Sequence, residues 1–456
     1  MPCIFFMSGD EKMERKRIDL IRGARVAYEG WDPSRQHDIF LKDGKVKAIS
    51  SHEPSLGYSG ESILDATNHL IAPSLCHAHV HLDKCFLLSD PKYADLEIEK
   101  GNFQEALELT SKAKARFEKD DLVRRGRWLI AESIAAGVTH MRAFVEVDHI
   151  VEFKCLDAAI ELKKQFAMAC VIQICAFAQD PIYSGEYGEA NRNLMSKAIQ
   201  SDYVEVLGTT PYVEGSILAA KANMDWAFRT AMEHDKHLDF HLDYNLDPDQ
   251  EARTWYAIEL ARNHKVSWDG GRTIALGHCT RLTLLDQESW FTLAGETTGL
   301  PLYFVGLPTS DMYMRGKPDE DQGGGERVRG TLQIPHMIQK YNYQGAISIN
   351  NVGNAFTPQG SCDPLSLASM GVGLYHAGTK ADSQLLYDCV SIGAKKAIGW
   401  PDPPFAVGSG ANFVLFDMGR SDGPLSQQRG RRTLQDVVYD PPKERKTVFC
   451  GDLIAV

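Results

Sequence analysis

Down the middle of the 456-residue chain, a short apolar run rich in β-branched residues is followed again and again by a stretch with helical spacing. The runs THMRAFVEV (139–147), VIQICAF (171–177), YVEVLGT (203–209), HLDFHLD (237–243), TIALGH (273–278), PLYFVG (301–306) and GAISIN (345–350) read as buried strands. Between them, 121–137, 223–236 and 247–263 carry apolar residues at helical intervals. The first stops on Gly137, and the last opens on Asp247 and Pro248. One more strand belongs before them, in LIAPSLCHAHVH (70–81), and brings the number to eight. Eight such alternations predict the α/β class, with a (β/α)8 barrel over residues 71–402 whose reactive groups sit at the carboxyl ends of its strands.

The two ends of the chain do not continue the alternation. RIDLIRGARVAY and HDIFLKDGKVKAIS supply short strands, the second folding back at Asp43-Gly44, and FAVGSGANFVLFD and TVFCGDLIAV supply more near the carboxyl end. Residues 1–70 and 403–456 are therefore expected to build a small β-sandwich beside the barrel. The charged, glycine-rich RGKPDEDQGGGERVRG (315–330) reads either as a mobile loop over the barrel mouth or as disorder. With a formal charge of −12 and no Lys/Arg block, the chain offers no stripe for tracking phosphates, so nucleic acid is not an expected partner. No apolar run reaches the length of a membrane span, the amino-terminal patch lacks a leader's pattern, and the ten scattered cysteines form no Cys-x-x-Cys pair. The expectation is a cytoplasmic protein with free thiols and a small-molecule substrate; a homo-oligomer is compatible with all of this.

Chemistry concentrates in the histidines. His77, His79 and His81 stand two apart, which places them on one face of a strand, whereas positions two apart on a helix diverge. His241 closes the fifth strand and His278 the sixth. A lone histidine at a strand end is commonly structural, but a barrel gathers these ends around one mouth. His79, His81 and His241 are thus candidate ligands of one divalent metal ion, zinc or iron, with His278 touching its water or completing the shell.

The motifs in this order resemble the amidohydrolase superfamily, and within it the cytosine deaminase branch. The resemblance runs through DGKVKAI, HVHLD (79–83), CAFAQD, DFHLD (239–243), LGHCT (276–280) and AIGWPDPPFAVGSGANFVLFD, essentially the whole chain. It implies iron or zinc on His79, His81 and His241, and His278 beside the metal-bound hydroxide. His77 falls outside the ligand pair and reads as a supporting residue. The resemblance also implies that Gln173 reads a ring amide of the substrate, with Phe356 and Asn351 lining the same pocket. No lysine ends the second strand, so a carbamate-bridged metal pair is not expected.

Two departures bear on the chemistry. Tyr244 stands where the family places a catalytic glutamate, and Asn350 stands where it places a metal-binding aspartate. A tyrosine, with an ordinary pKa of about 10, is a poor base at neutral pH, and an amide relays no proton. Asn350 can still offer its carbonyl oxygen to a metal, and the Tyr244 hydroxyl can stabilise an oxyanion or donate a proton. Asp243, sharing strand parity with His241, is the first candidate for a relocated carboxylate; Asp83, Asp311 and Asp363 are others near strand ends. The catalytic candidates are therefore His278, Tyr244 and Asp243. Three readings stay open: a hydrolase of a C–N bond in a cyclic amide or amidine, a non-hydrolytic lyase, isomerase or cyclase on the same fold, and a silent ligand-binding relative.

Overall fold

The structure, a computed structural model, describes residues 3–6, 12–57, 62–264, 268, 270–316, 330–419 and 430–455; most of the 315–330 segment lies outside the described residues. The strands β1 (Leu75–His81), β2 (Val138–Glu146), β3 (Val171–Ala178), β4 (Val204–Thr209), β5 (His237–Leu242), β6 (Ile274–His278), β7 (Leu302–Gly306) and β8 (Gly345–Ile347) pair in chain order as one eight-stranded parallel sheet. Closure comes just beyond β8, where the His81 amide donates to the Asn350 carbonyl at 2.8 Å and the Asn350 amide to the His79 carbonyl at 3.2 Å. Every residue of β1 and of β2 is buried, as expected of strands with helices outside and a filled barrel inside. This is the (β/α)8 barrel read from the alternation.

The terminal segments pair with each other in a second sheet of ten strands. Its centre is Phe413–Asp417 from the carboxyl end, set antiparallel to His69–Pro73 from the amino end. Ile21, Ile39, Ile71, Phe413 and Val448 are buried in the separate core of this sheet. The turn at Asp43-Gly44 has φ of 50° and 76°, the left-handed pair that a tight hairpin requires. No helix among the described residues is long and apolar enough to cross a membrane.

Two helices after β1 matter for the site. The first, α1 (Phe103–Lys114), starts at Asn102, whose side chain accepts the Glu105 amide at 3.0 Å, and α2 (Lys119–Ala135) follows. Ala106 and Phe103 of α1 join Phe356, Met314 and Tyr244 in a small apolar cluster apart from the main core, over the carboxyl ends of the strands. The far end of α1 is fixed by charge. Lys114 Nζ is buried 2.6 Å from Glu146 Oε2 and 3.0 Å from Asp180 Oδ2, and also pairs with Asp148.

The helix expected over 247–263 is shorter, running Thr254–Asn263. Asp247 turns the chain instead, its carboxylate accepting the Asp249 amide at 2.9 Å.

Candidate metal centre and pocket

The end of β1 carries His79 and His81 on one face, and β5 brings His241 against them. One ligand atom from each of the three lies within 4.8 Å of the others, and all three side chains are buried. Nε2 of His81 and Nε2 of His241 are 3.2 Å apart. Both ring nitrogens of His79, and Nδ1 of His81 and of His241, are buried without a hydrogen-bond partner. Orphaned buried nitrogens are costly unless something else engages them. Burial above all pushes the pKa of each of the three well below the usual histidine value, so they stand as neutral donors of lone pairs. Phe144 stacks on His79 at 3.9 Å and fixes that ring.

Asn350 lines one cavity with His81 and His241. Its Nδ2 donates to Ser310 Oγ at 2.8 Å, which turns Oδ1 the other way, buried and without a partner. Three imidazole nitrogens match the three protein ligands of a catalytic zinc site, which keeps a further position open, and they suit iron as well. The three histidines carry no charge, and the buried Asp239 carboxylate stands behind His79 at 3.9 Å from its Nδ1.

His278 sits beside the triad, its ring centroid 5.3 Å from that of His241. Its Nδ1 is 2.7 Å from Asp311 Oδ1. Tyr244 lies against the ring at 3.9 Å, and its hydroxyl donates to the Ser310 carbonyl at 3.1 Å. Burial, with Asp311 second, pushes the Tyr244 hydroxyl well above its ordinary value, so it is a neutral wall rather than a base. His278 and Asn350 have φ of 65° and 61°, the left-handed region that residues other than glycine seldom enter. Such backbone gathers at functional sites, where surrounding contacts hold it.

Above the histidines the cavity is narrow, about 10 Å³, room for one water. Phe103, Tyr212, Tyr244 and Phe356 wall it, while Gln179 and Asn351 supply amides. No carboxylate is among the described residues that line it.

Several residues singled out in the sequence lie elsewhere. Asp243 does not face the cavity: at φ 49° its side chain turns outward, where its carboxylate accepts the Arg253 amide at 2.8 Å and the Thr254 amide at 2.9 Å, capping the helix that follows. Gln173 lies at the barrel floor, its Oε1 accepting from Arg142 Nε at 2.7 Å and its Nε2 donating to the Ile398 carbonyl at 3.0 Å. The glutamine that reaches the mouth is Gln179, just past the carboxyl end of the same strand. Asp363 caps a helix and forms a two-pronged pair with Arg445. Asp83 is buried with Oδ2 accepting the Glu146 amide at 2.7 Å, and burial pushes its carboxyl up to about 6. Sequence reasoning also missed Phe103 and Tyr212, which reach the pocket from loops and helices that no local pattern marks.

His77 is the bystander among the β1 histidines. Its Nε2 meets the Cys362 carbonyl at 3.2 Å and Ser133 Oγ at 3.1 Å, and burial pushes its pKa down to about 4. The unfolded chain takes up this proton below about pH 6.5 and the fold only near 4, so stability is lost as pH falls through that window. Urea unfolding of His77→Gln is expected to lose about 2 kcal/mol less than wild type between about pH 7 and pH 4.5. Parallel losses in the two proteins would show that His77 is not the group responsible.

No family model matches the chain. Among curated proteins, N-isopropylammelide isopropyl amidohydrolase of Pseudomonas sp. (strain ADP) is 24% identical over 225 residues, 49% of this chain; the chain spans about half (53%) of that relative's length. Among solved structures, 5-methylcytosine deaminase from Klebsiella pneumoniae liganded with 5-fluorocytosine superposes with a TM-score of 0.80 at 20% identity, over 95% of this chain and 96% of that one. The chain has the fold of this deaminase. An adenosine deaminase from Xanthomonas campestris with bound zinc shares it at a TM-score of 0.64 and 16% identity, over 96% of this chain and 93% of that one. The shared fold thus extends over nearly the whole chain.

Proposed function

We propose that the chain is a metal-dependent hydrolase that cleaves a C–N bond of a small planar amide or amidine ring, in the manner of a cytosine deaminase. The observation that carries this reading is the buried, uncharged set of His79, His81, His241 and Asn350, with their orphaned donor atoms beside His278. Zinc or iron held by these four residues would supply Lewis acidity at the floor of the pocket. The chain's own groups do the rest. Phe103, Tyr212 and Phe356 supply apolar faces that must move apart for a flat ring to enter, since the cavity as it stands holds one water, and the amides of Gln179 and Asn351 read the ring's polar edge. With Tyr244 neutral and no carboxylate among the described residues that line the cavity, His278 is the group that takes a proton from the attacking water at Nε2 and returns it to the leaving nitrogen. The name of the Pseudomonas relative and the ligand of the Klebsiella structure both support a nitrogen heterocycle as substrate.

A second reading is favoured by the same missing carboxylates: a non-hydrolytic reaction in which the site only polarises a carbonyl. Elemental analysis of purified protein, with an ammonia-release screen on cytosine, creatinine and ring amidines, separates the two. The expected result is near one metal per chain together with ammonia. Metal without ammonia turns the search to non-hydrolytic chemistry, and purified protein that holds no metal leaves the hydrolase reading without its centre.

A further inference from the structure

We propose that Asp311, held in turn by Thr331, is a positioning residue that fixes the tautomer of His278 and leaves Nε2 as a proton acceptor facing the pocket. The inference rests on the hydrolase reading for its catalytic consequence, but its structural content can be tested without it. Asp311 is fully buried in the short helix Pro308–Tyr313 that follows β7. One oxygen lies 2.7 Å from Nδ1 of His278, and the other accepts from Thr331 Oγ1 at 2.6 Å. A carboxylate so placed accepts a hydrogen bond best from Nδ1–H, which assigns the lone pair of a neutral imidazole to Nε2.

The rest of the neighbourhood agrees. Tyr244 lies against the face of the imidazole and sets the plane of the ring, while Asp311 sets its rotation within that plane. His278 lines the cavity, and with Nδ1 committed to Asp311, Nε2 is the nitrogen left to face it. The arrangement answers the two departures at positions 244 and 350. With no carboxylate among the described residues of the pocket wall, the chain keeps one behind the histidine, where it cannot touch substrate but decides which nitrogen accepts. This is the logic of a carboxylate behind a histidine base, where the wrong tautomer costs on the order of 10⁴ in rate although the geometry is kept.

The test is nitrogen NMR of protein labelled with ¹⁵N in its histidines, loaded with zinc and held near pH 8, with the His278 signal assigned by its loss in His278→Asn. Wild type is expected to show Nδ1 protonated and Nε2 bare. Asp311→Asn is expected to shift the ring toward the other tautomer, and Asp311→Glu to restore the wild-type pattern in part. Thr331→Val, the milder change, keeps a folded comparison should Asp311→Asn not fold, and is expected to give a mixture. On any substrate that releases ammonia, Asp311→Asn should lower kcat by on the order of 10² to 10⁴ with KM little changed. An Nε2-protonated or doubly protonated ring in wild type overturns the proposal, as does an unchanged tautomer in Asp311→Asn. The NMR pattern is read whether or not a substrate turns over, so a correct tautomer without ammonia release counts against the hydrolase reading alone.

Discussion

Replacing His241 by alanine is expected to take the bound metal from near one per chain to none, and to leave a folded barrel that no longer responds to chelators. The three imidazoles come from two strands, and only His241 reaches the site from β5. Without it an ion would keep two nitrogens from β1 and one neutral amide oxygen, with no charge among them to hold it. His79→Ala should behave alike, because neither of its ring nitrogens is satisfied by a hydrogen bond, although Nδ1 faces the buried Asp239 carboxylate at 3.9 Å. His77→Gln should keep its metal, since His77 lies outside the group of converging ligand atoms and its Nε2 is held by Ser133 and Cys362. Binding of an ion to the folded state alone stabilises it by mass action, so a chelator should lower the wild-type Tm and leave that of His241→Ala where it was. Metal retained in both triad variants, or a wild-type Tm indifferent to chelation, would refute the assignment of the centre.

How far the site could be read from sequence follows from what strand parity does and does not fix. The side chains at 79 and 81 fall to one face because successive residues alternate, but His241 joins them only because the barrel gathers the strand ends, and His77, of the same parity, turns instead to Ser133 and Cys362 past a shift in strand register. Parity does not give depth. Gln173 and Gln179 share a face but stand six residues, roughly 20 Å of strand, apart, and only the second is at the mouth. Nor does parity survive the end of a strand. β5 stops at Leu242, and Asp243 enters the left-handed region and turns its carboxylate out to cap a helix. Asp311 was marked in the sequence only as one aspartate among several near strand ends. Its place against His278 depends on the packing of the turn after β7 beside the end of β6, a contact between residues 33 apart. The terminal sheet was readable for the opposite reason, since its hairpin turn and alternating runs are local signals, and the pairing of Phe413–Asp417 with His69–Pro73 completes them.

Lys114→Met is expected to cost about 3 to 5 kcal/mol of stability, far more than Lys112→Met on the exposed side of the same helix. Lys114 is buried among Glu146, Asp148 and Asp180, and these carboxylates hold it well above the usual lysine value in spite of its burial. Against its own burial, Lys114 first and Lys84 second hold the Glu146 carboxyl below the ordinary carboxylate range. A methionine fills much the same space and removes the charge, so the loss comes from buried carboxylates, of which Glu146 keeps Lys84 while Asp148 and Asp180 lose the lysine they pair with. The sign with pH follows. In the variant these carboxyls bind protons more readily in the fold than in the unfolded chain, so the deficit grows as pH rises and shrinks as it falls. Urea unfolding of the two variants and wild type near pH 5.5 and pH 8 checks this, and a Lys114→Met deficit no larger than that of Lys112→Met would mean the cluster does not hold α1. The consequence reaches the pocket because α1 carries Phe103 at its other end, in the cavity wall. Hydrogen exchange in residues 103–114 should therefore rise in Lys114→Met, and the wall of the cavity should loosen although no residue that lines it has changed.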